Sequence, residues 1–187
     1  MSSPIKLSEL CFTITKGTTP TTLGMNFTEH GVPFVRVNNF KEGILNLRGD
    51  ILFISEETHK SLGRSIIKSG DVLLSIAGTI GRSCVVPQES PSANCNQAVC
   101  VIRPDDAKLQ NQYLQRWLTS NDAMSQVTNG KVTGVISNLS LTNVRNLKIP
   151  LPPLAEQKRI AGILDAADRL RAKRRESLAQ LDTLLQS

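Results

Sequence analysis

The chain has 187 residues, enough for one domain plus an appendage. Its hydrophobic share of 40% supplies a core, and 22 Lys and Arg against 16 acids leave a formal charge of +6, which suits an anionic partner. No run of about 18 apolar residues occurs, so a helical membrane span is excluded, and the polar opening at 1–6 lacks a signal core, which makes the cytoplasm the expected compartment.

In chain order, residues 7–15 read as a short helix or a strand leading into KGTTPTT (16–22), a polar, turn-prone stretch broken by Gly17 and Pro20. VPFVRVNNF (32–40) is expected to be a strand closing on an Asn-Asn turn. Residues 49–78 read as a strand, then a short helix opening near Ser55 and stopped by Gly63. Glu56 and Glu57 lie in its first turn, where the positive helix end favours them. SGDVLLSIAGTIGRSCVVP (69–87) predicts a strand at 72–76, a glycine-permitted turn at 77–81 and a partner strand at 82–86 stopped by Pro87. NQAVCVIRP (96–104) is a further strand. Leu109, Tyr113, Leu114, Trp117 and Leu118 recur at helical spacing, and 128–153 alternates Gly-bounded loops with β-prone runs. Short strands mixed with few helices imply an α+β domain over residues 1–152.

Pro150, Pro152 and Pro153 form a stiff boundary. Beyond it, at 153–187, Ala, Leu, Arg, Glu and Gln predominate. Two sevenfold series, Ile160–Ala167–Arg174–Leu181 and Leu164–Arg171–Leu178–Leu185, make an a/d seam interrupted by Arg171 and Arg174. One helix of about 30 residues, about 45 Å long, is expected. It is too long to bury its stripe against so small a domain, so Ile160, Leu164, Ala167, Leu178, Leu181 and Leu185 are expected to pair with another helix. Arg171 and Arg174 either fix its register or face outward.

No catalytic constellation emerges. Gly78 to Gly81 is too short for a phosphate-binding loop, Arg82 stands where a lysine is required, and a strand follows where a helix is needed. RPDDAK (103–108) crowds its carboxylates and lysine together instead of spreading them over two strands, and reads as a strand-to-helix turn with an acidic cap. Cys11, Cys84, Cys95 and Cys100 lack metal-site spacing with each other and with His30 and His59, so they are expected to be reduced and structural. What the loops do carry is the chemistry of nucleic-acid contact: Lys16, Thr18 and Thr19; Arg36, Asn38, Asn39 and Lys41; Asn129, Lys131 and Thr133. Solvated polar loops on a helical protein-interaction adaptor are the alternative.

PFVRVNNF (33–40), GDVLLSIAGTIGR (70–82), NQAVCVIRP (96–104) and IPLPPLAEQKRIAGILDAAD (149–168) together resemble, in this order, the specificity subunits of type I restriction–modification systems. The resemblance implies a globular target-recognition domain followed by a long spacer helix, with no catalysis and no cofactor of its own. It implies double-stranded DNA as partner, one half of a bipartite target being read. Modification subunits would methylate adenine with S-adenosylmethionine, and restriction subunits would use ATP and Mg. The helix would pair antiparallel with that of a second specificity half or of another copy. It also implies that the glycine turn buttresses the DNA face, with Arg82 either reaching a phosphate or pairing with Asp71 or another acid. The end at 184–187, without a Gly or Pro stop, leans towards a fragment over a natural half-subunit.

Overall fold

The computed structural model describes residues 3–128 and 138–185, the last three as backbone only. Ile5–Lys6 (β1) and Cys11–Lys16 (β2) open the chain, so the stretch at 7–15 resolves as a 3-10 turn followed by a strand. Val32–Val35 (β3) follows. The strand expected at 32–40 breaks at Arg36, because Asn39 Oδ1 accepts from Arg36 N at 2.8 Å and folds residues 37–39 into a 3-10 turn. Phe40–Lys41 (β4) and Ile44–Leu45 (β5) form a small hairpin. Leu52–Ile54 (β6) then leads into Glu56–Ser61 (α1), capped as expected by Ser55, whose hydroxyl accepts from Thr58 N at 3.1 Å.

Val72–Ser75 (β7) and Ser83–Val85 (β8) flank the glycine turn, and Asn94–Cys95 (β9) precedes Val99–Pro104 (β10). The run at 96–104 therefore starts with a turn, held where Val99 N donates to Asn96 O. Asn111–Leu118 (α2), Asn121–Val127 (α3), Leu141–Asn146 (α4), Lys148–Ile149 (β11) and Leu154–Leu185 (α5) complete the chain. The cap of α2 is not the expected acid. Gln110 Oε1 accepts from Tyr113 N at 2.7 Å, while Asp105 closes the preceding turn by accepting from Ala107 N.

The central sheet runs β2-β10-β7-β8, antiparallel throughout, and both of its faces are covered. Alternation explains this: Ile14, Val72, Leu74, Cys100 and Ile102 meet Leu114, Trp117 and Val144 on one side, whereas Leu73, Val99 and Val101 meet Val35, Phe40 and Cys95 on the other. Each such side chain contributes about 1.5–3 kcal/mol by leaving water. A second sheet, β6-β3-β9, pairs β3 parallel to β9 and antiparallel to β6. The four cysteines are free, three of them buried, and burial pushes the thiols of Cys84 and Cys100 up to about 12.

Helix α5 is rooted in this domain. Gln157 and Ala161 are buried in it and Ile160 packs against the core, which moves Ile160 from the expected helix-pairing stripe to the domain side. Arg116 on α2 forks onto Asp165 and Asp168, both on α5. Ala167 is half-buried, and from residue 168 to 182 every side chain is exposed.

Candidate nucleic-acid interface

The segment at 16–22 is welded to the turn between β9 and β10. Gly17 N donates to Val99 O and Thr18 N to Cys95 O, each at 3.1 Å. A Cβ on Gly17 would lie 1.9 Å from Cys95 O and 2.3 Å from Asn96 O, so this approach requires glycine. Thr19 Oγ1 donates to Gln97 Oε1 across the same gap. Lys16 is exposed at the end of β2, and Thr18 and Thr19 are half-buried beside it.

At 36–41 the side chains separate into two groups. Arg36 Nη2 donates to Asp50 Oδ1 at 3.0 Å, and Asn39 Nδ2 donates to Asp50 O at 2.9 Å. With its Oδ1 on Arg36 N as well, Asn39 is buried and both ends of its amide are occupied, so the expectation that it meets DNA is replaced by a structural role. Asn38 and Lys41 are exposed, and Lys41 lies 3.8 Å from Glu42. Asn129, Lys131 and Thr133 lie outside the described residues.

The glycine turn is built around Ser75. Its hydroxyl accepts from Arg82 N at 2.9 Å and donates to Thr79 O, and Gly81 N donates to Ser75 O. Gly78 at φ +73 and Gly81 at φ +90 occupy the left-handed region, and a Cβ on Gly81 would also come within 2.9 Å of Met124 Sδ on α3. The turn thus leans on the helical layer, and Leu139 N donates to Ile76 O at 2.7 Å beside it. Arg82 does not pair with Asp71. Continuing the β10–β7 register sets Arg103 opposite Asp71, and the two make a two-pronged pair, Nε to Oδ1 and Nη2 to Oδ2, both at 2.7 Å, around a fully buried carboxylate. Among the described residues Lys16, Arg82 and Arg145 are three of the several cations without a carboxylate partner. No group of three or more His, Cys, Asp or Glu among them is placed to hold a metal.

Three residues escaped the sequence reading. Gln97 carries no local signal, because its contact with Thr19 spans 78 positions. Arg145, whose Nη2 donates to Ile14 O at 2.9 Å, becomes meaningful only once α4 is laid along β2. Gln157 stands in a polar helical turn yet is fully buried. Its Oε1 accepts from Gln110 N at 2.8 Å, and its Nε2 donates to Lys108 O and Pro152 O at 2.9 Å. Beside this knot lies a cavity of about 940 Å³ lined by Lys108, Tyr113, Pro150, Pro152 and Ile160 among others. Along α5, Leu164, Leu178 and Leu181 of the expected stripe are exposed by 42%, 51% and 54%, as are Ile163 and Leu170 beside it, and no described residue covers them. The side chain of Leu185 lies outside the described residues. Arg171 is exposed and pairs with Asp168 at 3.2 Å.

A model of the type I restriction modification DNA specificity domain matches residues 3–181. The chain belongs to that family. It is 27% identical over 161 residues to the EcoBI specificity subunit of a type I restriction enzyme from Escherichia coli, a match covering 84% of this chain and 34% of that one. The fold is shared with a chain solved in work on the assembly and conformational transition of the type I R-M system, with a TM-score of 0.74 at 24% identity over 97% of this chain and 42% of that one. It is shared too with the HsdS subunit from Thermoanaerobacter tengcongensis, at a TM-score of 0.63 and 23% identity over 90% of this chain and 38% of that one. The chain spans about a third of the length of the curated relatives it matches. Within the specificity family, the α+β class and the long terminal helix expected from sequence are both observed.

Proposed function

We propose that the chain is one target-recognition half of a type I specificity subunit. It reads one part of a split DNA target and presents α5 to a second specificity half or another copy. The observation that carries this reading is the division of α5: its first turns are locked into a strand-rich domain bearing cations without a carboxylate partner among the described residues, and its later turns carry exposed leucines that no described residue covers. Lys16, Thr18, Thr19, Arg36, Asn38, Lys41 and Arg82, with Asn129, Lys131 and Thr133, supply DNA contacts. The stripe of Leu164, Ala167, Leu178, Leu181 and Leu185 supplies helix pairing. Modification subunits dock on the assembled helices, bring S-adenosylmethionine and methylate adenine; restriction subunits bring ATP and Mg and cleave. The chain contributes recognition in the cytoplasm and no chemistry of its own.

The test is selection from a random duplex pool by the chain assembled with its modification subunit, followed by sequencing. The reading requires one short half-site to be enriched, and requires Arg36→Ala or Lys131→Ala to weaken that enrichment. A stable complex that enriches nothing overturns it.

A further inference from the structure

The end of β2 and the β9–β10 turn it pairs with carry hydrogen-bond donors and cations that form no ion pair among the described residues. Lys16 stands opposite Cys100 in the β2–β10 register and is exposed. Arg145 crosses from α4 to donate to Ile14 O, two residues before Lys16. Its positive charge reaches Cys100, where it favours the thiolate, although burial dominates that thiol. Gln97 is exposed at the tip of the turn, its carbonyl oxygen engaged by the Thr19 hydroxyl. Among the described residues its amide NH2 has no partner.

We propose that Lys16, Arg145 and Gln97 form an edge that grips a DNA phosphate and fixes the register of the domain on the duplex without reading sequence. The inference rests on the DNA-recognition role proposed above and divides its contact residues by task. Two arguments favour phosphate over a base edge. A glutamine that reads adenine needs donor and acceptor together on one free edge; here Thr19 already holds one of the two acceptor sites of the Gln97 carbonyl and ties its orientation to the framework, while the amide NH2 stays open, so the edge offers mainly donors. Phosphate oxygens accept only, and two unpaired cations match their charge. The edge is also framework. Gly17 admits no side chain, and three hydrogen bonds pin the segment to the sheet, so its chemistry is fixed to the fold.

The test measures duplex binding by the chain assembled with its modification subunit, on the selected sequence and on a scrambled one, across a salt series. Lys16→Ala alters only an exposed side chain. It should weaken both duplexes by the same factor and lower the slope of log K against log salt by about 1, with the selected half-site unchanged. Gln97→Ala should also weaken both equally while leaving the slope unaltered, since it removes no charge. Arg145→Lys keeps the charge and should keep the slope. A shifted base preference in either the Lys16 or the Gln97 variant would assign the edge to sequence reading and overturn the proposal. Unchanged affinity and slope for Lys16→Ala would overturn it as well, with the recognition reading left standing. A parent complex that binds no duplex at all refutes both.

Discussion

Replacing Gln157 by Met keeps the length of the side chain and removes its polar end. Three backbone groups then lose their partners: Gln110 N–H, Lys108 C=O and Pro152 C=O. A buried polar group left unpaired costs about 1–3 kcal/mol, so the range for three is about 3–9 kcal/mol. Two arguments select the low end. Lys108 and Pro152 also line the 940 Å³ cavity, so water entering it is a ready substitute partner for a carbonyl that loses its bond. The thioether also gains from burial what the amide did not. The expected loss is about 3 kcal/mol, equivalent to a fall in Tm of about 6–12 °C for a chain of this size. Gln157→Glu serves as the companion, since its carboxylate can accept from Gln110 N–H but cannot donate to two carbonyls; it should be at least as damaging at neutral pH. Urea unfolding followed by circular dichroism gives the free energies, and hydrogen exchange at 154–161 shows whether the root of α5 opens first. A Gln157→Met chain within about 1 kcal/mol of the parent would refute the reasoning that this knot binds the helix to the domain.

Arg116→Ala removes the fork onto Asp165 and Asp168. Because both carboxylates are substantially exposed, urea titration should register only about 1 kcal/mol, and less in high salt. The hydrogen bond from Arg116, helped by Arg171, holds the Asp168 carboxyl below its ordinary range. A depressed carboxyl contributes stability above its unfolded pKa and loses it as pH falls through the folded value, so the parent's advantage over Arg116→Ala should fade below about pH 4. A difference that grew on acidification would contradict that sign. Gly17→Ala drives a methyl group into two backbone oxygens and should cost more than about 3 kcal/mol or prevent folding, as read from the urea midpoint and soluble yield. A chain of ordinary stability would show that 16–19 can lift from the sheet freely.

Several elements were legible because local chemistry alone decides them. The Ser55 cap needs only a hydroxyl ahead of a helical run. The turn at 77–81 needs glycine where φ is positive. The proline stop and alanine-leucine-arginine composition beyond 153 leave a long helix as the reading. Other features depend on partners far along the chain. Asn39 reads as a loop amide whether it faces a base or the Asp50 carbonyl, and only the fold brings Asp50 beneath it. Asp71 was available to Arg82 until strand register gave it to Arg103. A lone glutamine in a charged helical turn looks solvated, and only the arrival of the 105–110 loop seals Gln157 in. The candidate interface was therefore legible by residue type and region, while the division of those residues between framework and surface was not.

The root of α5 also sets a tolerance. About 17 residues extend beyond the Arg116 fork, a lever of about 25 Å at 1.5 Å per residue. A tilt of about 5° at the root displaces the far end by roughly 2 Å, more than half of the 3.4 Å between successive base pairs. Under the proposed role two such levers add their errors, and a loose root would blur the separation of two half-sites by a whole base step. Under that role the buried amide and the arginine fork would act as a mechanical stop on aiming error, and the exactness of the spacing between half-sites would be a property of the joint and not of the surface that touches DNA.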